Sequence, residues 1–407
     1  MTDERITPEK KLRFGASVWE RAAGFGVPVR RLDKSIRADA AIVGAGVSGA
    51  FMAEALSRRF ESVVVLERRE PARGATAAST AMLQFEIDEP LTALGDKIGV
   101  RKANAAWRRS YRATQDLQKL VRDEGLRCGL QARSSLYLAG NDFGARALKD
   151  EATARRRIGL PGDYLDGAAL RAQFGIERTG AILSEGSAIA DPMQLAAGLL
   201  KRAQGRGARI YAPANVGDVM ATRHGVVLDA GAHFVEARHV VFCTGYEALK
   251  GVPKTGVKIT SSWAVASKPA LTYPKWLNRI LVWEASTPYL YLRTTPDGRI
   301  VAGGEDEPID LPGHRARSLD AKAARIAAKV KALIPDAAFS PAFEWTGAFG
   351  ESDDGLPVID EVPGMPNCFT VMGFGGNGTI YSKIAAEIVP TLISGRPDKD
   401  AGLYRFR

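Results

Sequence analysis

The stretch AAIVGAGVSGAFMAEAL, residues Ala40–Leu56, joins a short apolar run to three glycines and an alanine-rich helical pattern. The apolar run Ala40–Val43 suits a buried parallel strand. Gly44, Gly46 and Gly49 then allow a tight turn, a close approach of the backbone to a pyrophosphate, and close packing of the helix on the strand. The N–H groups at the start of that helix would face the phosphates. The stretch therefore predicts a strand, turn and helix that bind a dinucleotide.

The next apolar segment strengthens this prediction. SVVVLE, residues Ser62–Glu67, ends in a carboxylate at the usual distance beyond the glycines, where it can accept both ribose hydroxyls. A carboxylate at that place repels the additional phosphate of NADP. Because NAD and FAD share this pattern, the choice between them depends on other parts of the sequence.

The composition is that of an ordinary globular protein with a basic surface. The chain has 407 residues, of which 45% are hydrophobic, and a formal charge of +10. Lys and Arg are spread along the chain without the aromatic and cationic blocks typical of a nucleic-acid surface, so we expect no nucleic-acid partner. No apolar run is long enough to span a bilayer. Since the start MTDERITPEKK lacks the apolar segment of a signal peptide, a cytoplasmic location is expected.

The cysteines and histidines do not predict a metal site. Cys128, Cys243 and Cys368 stand far apart, without the spacing of a disulfide framework or of a metal-binding motif. The four histidines lie in apparent turns or strand starts, where a surface or structural role is expected. We therefore predict that no metal ion is bound.

Three later stretches favour FAD. RGATAASTAMLQFEID, residues Arg73–Asp88, is rich in small and hydroxyl side chains that let the backbone approach an extended ligand. HVVFCTGYE, residues His239–Glu247, is an apolar strand that ends in Thr244 and Gly245 and suits closure over a cofactor. VMGFGGNGTIYSKIAAEI, residues Val371–Ile388, repeats the order of strand, glycine loop and helix. A second helix N-terminus suits an isoalloxazine ring, whose pyrimidine edge gains negative charge on reduction.

The order of these motifs resembles that of a known family. The succession GAGVSG, VVVLE, GATAAST, ADPMQLAAGLL, VVFCTGY, DGLPVID and GFGGNGT is similar to the D-amino-acid oxidase-like superfamily of FAD-dependent oxidoreductases, which includes glycine, sarcosine and gamma-glutamylputrescine oxidases. The resemblance covers most of the chain, residues 38–390. SVW at residues 17–19 is similar to the gamma-glutamylputrescine oxidase-like branch. The resemblance implies an enzyme with FAD as its cofactor.

The motifs and the resemblance together predict the cofactor contacts. By position, Val216 resembles the residue whose backbone meets the adenine, and the loop from Gly375 to Thr379 resembles the loop beneath the flavin. The residues predicted to bind FAD are Gly44, Gly46, Val47, Ser48, Gly49, Glu67, Arg68, Thr76, Ala78, Ser79, Thr80, Met82, Val216, Thr244, Gly245, Gly375, Gly376, Asn377, Gly378 and Thr379.

The helix and strand patterns predict an α/β fold with two interleaved domains. A Rossmann-like FAD-binding domain is expected over residues 1–89, 184–250 and 343–407. An α+β substrate domain with a mixed or antiparallel sheet is expected over residues 90–183 and 251–342. The resemblance implies that this second sheet forms a roof over the flavin.

The candidate catalytic residues lie on the roof. In WEASTPYLYLRTT, strand alternation places Tyr289, Tyr291 and Arg293 on one face, which could be the cavity face or a solvent-facing stripe. If Arg293 points inward, it is expected to bind an anionic substrate through paired hydrogen bonds. If it points to solvent, Tyr289, Tyr291 and Trp345 are expected to line an apolar pocket for a neutral or cationic amine.

The chain departs from the resembling families at three places. Phe349 stands where amino-acid-oxidising members carry an arginine that binds a carboxylate, so simple amino acids are less favoured as substrates. Val301 stands where sarcosine oxidase-like members carry a lysine that speeds the reaction with oxygen, so dehydrogenase and oxidase activity are both expected candidates. GESDDGLPV lacks the cysteine of covalent flavin attachment, so we predict non-covalent FAD.

Three functions are consistent with the sequence. The favoured one is oxidation of a C–N bond in an amine or N-substituted amino acid by hydride transfer to flavin N5, with O2 or another carrier as electron acceptor. The second is dehydrogenation of a C–OH bond, as in 2-hydroxy acids, which needs a general base near the hydroxyl. The third is a flavin-holding subunit that needs a partner protein.

Overall fold

The computed structural model describes residues 6–21, 26–247, 249–252, 257–270, 272–396 and 398–407. The strands are β1 Arg13–Gly15, β2 Ile36–Val43, β3 Val63–Leu66, β4 Met82–Leu83, β5 Gln131–Leu138, β6 Asp163–Asp166, β7 Gly180–Ile189, β8 Arg209–Tyr211, β9 Asp218–Thr222, β10 Gly225–Asp229, β11 Phe234–Phe242, β12 Lys258–Ser267, β13 Ile280–Glu284, β14 Leu290–Thr294, β15 Ile300–Glu307, β16 Pro341–Glu351, β17 Val358–Glu361 and β18 Cys368–Met372. The α-helices are α1 Val47–Leu56, α2 Ala75–Ala78, α3 Leu91–Ile98, α4 Val100–Asp123, α5 Ala145–Arg157, α6 Gly167–Phe174, α7 Pro192–Gly205, α8 Pro312–Arg317, α9 Leu319–Leu333 and α10 Gly378–Ile393.

The first sheet has a parallel centre. Strands β18, β11, β2, β3 and β8 run parallel in that order, with β17 and the β9–β10 hairpin added antiparallel. The whole of β3 is buried, as expected for a parallel strand that is covered on both faces. Helix α1 connects β2 to β3 and packs between α7 and α10. The prediction of a Rossmann-like unit around the opening stretch is confirmed.

The second sheet is the predicted roof. Its main path is β1-β16-β12-β15-β14-β13-β5-β7-β4, with β6 paired to β7. All pairs are antiparallel except β13 with β5, so the sheet is mixed. Helix α9 packs on β12, β15 and β16 and buries Ile326 and Val330 against the outer face of the sheet. The inner face is directed towards the first sheet, and the mixed α/β fold class is confirmed.

Two predicted domain boundaries need correction. The boundary at 183/184 cuts through β7, and the boundary at 342/343 cuts through β16, yet both strands pair along their length within the roof sheet. The terminal strand β1 and the short β4, which were predicted to belong to the FAD-binding part, are also roof strands. The alternation of apolar side chains identifies a strand but not the sheet that it joins, which is why the sequence misplaced these segments. No helix in the described part of the chain is long and apolar enough to cross a membrane.

Candidate active site

A long cavity separates the two sheets. It encloses about 1910 Å³ including its open mouth. Its floor is formed by the carboxyl ends of β2, β3 and β11 and by the glycine loop before α10, and its roof by β12, β14 and β16. Ligands of open α/β sheets bind at this edge, because the loops after parallel strands meet there.

The first glycine turn depends on two close approaches. Gly44 has φ +104°, and a Cβ there would lie 2.4 Å from the carbonyl oxygen of Cys243 on the neighbouring strand. A Cβ on Gly49 would lie 1.9 Å from the carbonyl oxygen of Gly44. Gly44 and Gly46 line the cavity, whereas Gly49 lies behind them and acts through packing. The N–H of Val47, the first residue of α1, donates to Oγ1 of Thr76 at 2.9 Å, and Gly46 at the N-cap has no side chain that could cap the helix.

Glu67 at the end of β3 supports this turn. Its two carboxylate oxygens accept the N–H groups of Ala45, at 2.7 Å, and Arg69, at 2.8 Å. Burial raises the pKa of Glu67, while these two N–H groups act in the opposite direction. The side chain still lines the cavity, so its remaining lone pairs can accept hydroxyl groups of a ligand.

The second glycine loop is tied to an acidic residue that the sequence prediction missed. The N–H of Gly376 donates to Oδ2 of Asp88 at 2.6 Å. A Cβ at Gly375 would lie 2.7 Å from the same oxygen, so the close approach requires glycine. Gly378 is different, because a Cβ there would meet nothing closer than 3.7 Å. The space above Gly378 is therefore part of the cavity.

Three side chains hold three consecutive carbonyl groups of the loop after α2. Trp345 Nε1 donates to Ala78 at 2.8 Å, and Trp19 Nε1 donates to Ser79 at 2.8 Å. Arg293 Nε donates to Thr80 at 2.7 Å. We call these three hydrogen bonds the carbonyl clamp. The donors Trp345, Trp19 and Arg293 lie on β16, in the N-terminal segment and on β14, and all three bind the loop that borders the cavity.

The clamp corrects the predicted role of Arg293. Its side chain points inward, as one alternative expected, but it does not line the cavity and is 1% exposed. Besides Thr80, its guanidinium donates to the carbonyls of Ala190, at 2.9 Å, and Thr294, at 3.2 Å, and stacks over Trp19. Burial lowers the pKa of Arg293 to about 9. A substrate anion cannot reach this guanidinium, so the structure gives it a structural role.

The other candidate residues are brought together. Tyr289, Tyr291 and Trp345 line the cavity, and the two tyrosine rings lie 5.5 Å apart. The residues predicted to bind FAD that line it are Gly44, Gly46, Val47, Ser48, Glu67, Arg68, Thr76, Ala78, Ser79, Thr80, Met82, Val216, Thr244, Gly245, Gly375, Gly376, Asn377, Gly378 and Thr379. Their individual contacts with FAD remain proposals.

Several cavity residues were not predicted. Asn215, Glu247 and Arg69 border the part of the cavity near Glu67, and Ser262 and Trp263 border the roof. Near the roof, Asp88, Asp306 and Glu351 form a group of carboxyl side chains that we call the acidic end. Asp88 lines the cavity. Burial raises the pKa of Asp306 and of Glu351, and charge repulsion from Asp88 adds to both shifts. The sequence around each of these residues does not show that the three carboxyl groups lie close together in the folded protein.

The comparison with known families agrees with the fold and with the cavity described above. Residues 39–390 match the family model described as DAO, FAD dependent oxidoreductase. The chain belongs to the DAO family. This DAO-family protein is an FAD-dependent oxidoreductase, and the sequence predictions of an enzyme and of FAD are confirmed.

The similarity to known proteins extends over nearly the whole chain. It is 26% identical to the glycine oxidase of Geobacillus kaustophilus, with 88% of this chain and 93% of that protein covered. It is 25% identical to the tRNA 5-methylaminomethyl-2-thiouridine biosynthesis bifunctional protein MnmC of Thiobacillus denitrificans, of which it spans 63%. The crystal structures of G. kaustophilus glycine oxidase and P. horikoshii L-proline dehydrogenase each superpose with a TM-score of 0.75 over 91% of this chain and 98% and 97% of theirs, at 23% and 18% identity.

The cavity residues fit FAD. Arg68 Nη1 is buried without a hydrogen-bond partner among the described residues, and so is Oδ1 of Asn215. Both residues line the cavity near Glu67, and a carboxylate at the end of the second strand is where dinucleotide-binding folds typically hold the ribose. The unfilled space above Gly378 leaves room for a flat ring against the start of α10.

The open space at Gly378 gives a direct test. Gly378→Val adds an isopropyl group, whose Cβ would meet no protein atom closer than 3.7 Å. We expect FAD to bind about 5- to 150-fold more weakly, because overpacking costs about 1–3 kcal/mol, with apoprotein stability nearly unchanged. Apoprotein titration with FAD measures the affinity, and thermal unfolding measures the stability. Gly378→Ala is the matched intermediate; wild-type FAD affinity in the valine variant would exclude this loop from the flavin site.

Proposed function

We propose that the enzyme oxidises a C–N bond of an amine or N-substituted amino acid. The substrate nitrogen first loses a proton to solvent and so regains its lone pair. A hydride then leaves the carbon while this lone pair forms the C=N bond of an iminium ion, which water hydrolyses. Bound FAD supplies the acceptor for this hydride. The relatives and solved structures that resemble this chain are named for glycine, L-proline and iminodiacetate, and each of these compounds contains a C–N bond.

The charge distribution along the cavity carries this proposal. Among the described residues, Arg68 and Arg69 are the cationic side chains that line the cavity, and both pair with Glu247 near Glu67. At the roof end Asp88 is among the lining residues, and Phe349 lines the cavity at the place where amino-acid-oxidising members carry an arginine that binds a carboxylate. Among its described lining residues this end offers a carboxyl group and no cation, so it suits the amine nitrogen of a substrate better than a carboxylate.

The residues of the roof orient the substrate. Tyr289, Tyr291 and Phe349 offer aromatic faces to its carbon chain, and aromatic faces also attract ammonium groups. Trp345 keeps its indole edge on the carbonyl of Ala78 and thereby fixes the loop beneath. Together these side chains hold the substrate and exclude water from the reacting carbon.

Oxidation of a C–OH bond is the second candidate. It is favoured by one observation, the carboxyl of Asp88, which lines the cavity and whose pKa is raised by burial, so that it could accept the hydroxyl proton. A 2-hydroxy acid would bring a carboxylate to the acidic end, so a neutral alcohol fits this alternative better.

Anaerobic reduction of the purified holoenzyme tests the proposal. Bleaching of the flavin absorbance is measured with benzylamine, N-methylbutylamine, sarcosine, glycine, lactate and glycerol 3-phosphate. We expect reduction by amines and none by lactate. Reduction by hydroxy compounds alone would establish the second candidate. Reduction by none of these or other amines, with a second protein that co-purifies in equal amount, would support a flavin-holding subunit instead. Oxygen consumption compared with dye reduction then identifies the acceptor.

The same preparation tests the mode of attachment. Cys243 is the cysteine that lines the cavity within the described residues, and burial raises the pKa of its thiol, so a thiolate is disfavoured. We expect acid precipitation to release yellow FAD into the supernatant. Flavin that stays with the precipitated polypeptide would contradict non-covalent binding.

A further inference from the structure

The N-terminal segment crosses from one sheet to the other beside the cavity. Residues 6–21, which we call the strap, lie before residues 39–390, the part of the chain that matches the family model. The strap begins at the first sheet, where the N–H of Ile6 donates to the carbonyl of Gly217 at 2.7 Å. It reaches the roof as β1, which pairs with β16. Leu12, between these two ends, lines the cavity.

At the first sheet the strap holds three charged residues of the cavity wall. The carbonyl of Thr7, a fully buried residue, accepts Nη2 of Arg68 at 3.0 Å. The N–H of Lys10 donates to Oε1 of Glu247 at 2.8 Å, and the carbonyl of Lys10 accepts Nη2 of Arg69 at 3.2 Å. Arg68, Arg69 and Glu247 all line the cavity. The strap therefore borders the end of the cavity at which the ribose of FAD is proposed.

At the roof the strap is bonded to a second set of cavity residues. The N–H of Ala348 donates to the carbonyl of Leu12 at 2.9 Å, and β1 continues this pairing up to the position opposite Trp345. Trp19 Nε1 then donates to the carbonyl of Ser79 as part of the carbonyl clamp. Ala348, Trp345 and Ser79 line the cavity. Because the strap is bonded to lining residues of both sheets, it closes this side of the cavity.

Two side-chain contacts outside the cavity fasten the middle of the strap to the roof. Lys10 Nζ pairs with Oδ2 of Asp310, between β15 and α8, at 2.6 Å. Arg315 on α8 is fully buried, and its Nη2 donates to the carbonyl of Lys11 at 2.8 Å. All of these bonds join groups of the protein to one another. The strap is therefore expected to be closed both when FAD is bound and when it is not.

We propose that the strap is a gate for the cofactor: FAD enters and leaves the cavity only while the strap is detached from the roof. A segment held by a small set of hydrogen bonds opens locally without unfolding of the core, and such opening can limit the exchange of a bound molecule. The gate sets how fast FAD is exchanged and has little influence on how tightly FAD is held. The inference concerns the cofactor alone and is independent of which bond the enzyme oxidises.

Gly15→Ala detaches the strap at its roof end. Gly15 has φ +73°, and a Cβ there would lie 2.2 Å from the carbonyl oxygen of Glu344 on β16, so alanine cannot keep the pairing of β1. The FAD-loaded enzyme is mixed with an excess of isotopically labelled FAD, and uptake of the label gives the release rate. Flavin fluorescence gives the rate at which FAD binds to the apoprotein. We expect both rates to rise at least about tenfold, with Kd changed less than about threefold.

Gly175→Ala is the matched control for this substitution. Gly175 has φ +68° and ends α6 near the opposite edge of the roof sheet, and a Cβ there would meet nothing within 4 Å. Both rates should stay at the wild-type value in this control.

Lys10→Ala is a milder opening that leaves β1 in place. The variant loses the ion pair with Asp310, which is partly exposed, so we expect both rates to rise about two- to fivefold. Lys119→Ala loses an ion pair with Asp123 on α4, away from the strap, and should change neither rate.

The two rates together distinguish a gate from a contact. If the strap only contributed contacts to bound FAD, release would accelerate while binding kept its wild-type rate, and Kd would rise in proportion to the release rate. That result would overturn the inference, and so would wild-type release from both Gly15→Ala and Lys10→Ala. If Gly15→Ala does not give a folded protein, Lys10→Ala decides by the same criterion.

Discussion

Arg293→Ala is expected to lose FAD and to lower the free energy of unfolding by about 3–5 kcal/mol. The substitution leaves the carbonyls of Thr80, Ala190 and Thr294 without their donor in a buried place. It also removes one of the three anchors of the carbonyl clamp, so the loop bordering the cavity loosens. Flavin content after gel filtration and the temperature of FAD release measure the two effects. A variant that keeps its FAD and its thermal stability and changes only KM would show that this guanidinium serves the substrate after all.

Arg293→Lys separates charge from hydrogen bonding. Burial lowers the pKa of the arginine to about 9. The same surroundings would lower the pKa of a lysine from its ordinary value of about 10.4 towards neutral pH. Between the lower pKa of this lysine in the folded protein and its ordinary pKa in the unfolded chain, the unfolded chain binds more protons. The free energy of unfolding therefore rises with pH over that range. We expect the lysine variant to gain thermal stability relative to wild type from pH 6 to pH 9. A constant difference across this range would mean that the lysine stays charged.

Glu67→Gln is expected to weaken FAD binding roughly hundredfold, or about 3 kcal/mol. The carboxylate accepts two backbone N–H groups, from Ala45 and Arg69, and an amide has only one oxygen for them. One N–H group must then face the amide NH2, and the glycine turn that follows β2 shifts. The charge-assisted bonds that we propose between Glu67 and the ribose would be lost as well. Apoprotein titration with FAD gives the affinity.

A matched control isolates the geometry from the net charge. Glu61→Gln removes one negative charge from the exposed loop before β3 and should leave FAD affinity at the wild-type value. Equal FAD affinities of the Glu67→Gln, Glu61→Gln and wild-type proteins would show that Glu67 contributes to FAD binding neither through the glycine turn nor through the ribose.

The parts of the site that the sequence predicted are built from local contacts. The packing of Gly49 on Gly44 and the hydrogen bond from Ala45 to Glu67 lie within one strand–helix–strand unit, so spacing along the chain determines their geometry. The loop from Gly375 to Thr379 borders the cavity, and its bond to the distant Asp88 is the part that no local pattern shows. Patterns of this kind carry their physical reason within about thirty residues.

The parts that the sequence did not predict depend on distant segments. Alternation correctly placed Arg293 on the inner face, but it could not show that three backbone carbonyls fill the space in front of the guanidinium. The sequence also does not show that β15 has one extra residue opposite Ser261–Trp263 of β12, since this irregularity is visible only in the strand pairing. The acidic end likewise joins Asp88 and Glu351 from remote positions.

The carbonyl clamp has a consequence for how this enzyme can diversify. Trp345, Trp19 and Arg293 hold oxygen atoms that every amino acid possesses. Exchange of the side chains at positions 78, 79 and 80 therefore removes none of the three hydrogen bonds, and the path of the loop is preserved. The clamp therefore fixes the course of the loop through its backbone, so substitutions at these positions change the lining of the cavity without removing the three hydrogen bonds.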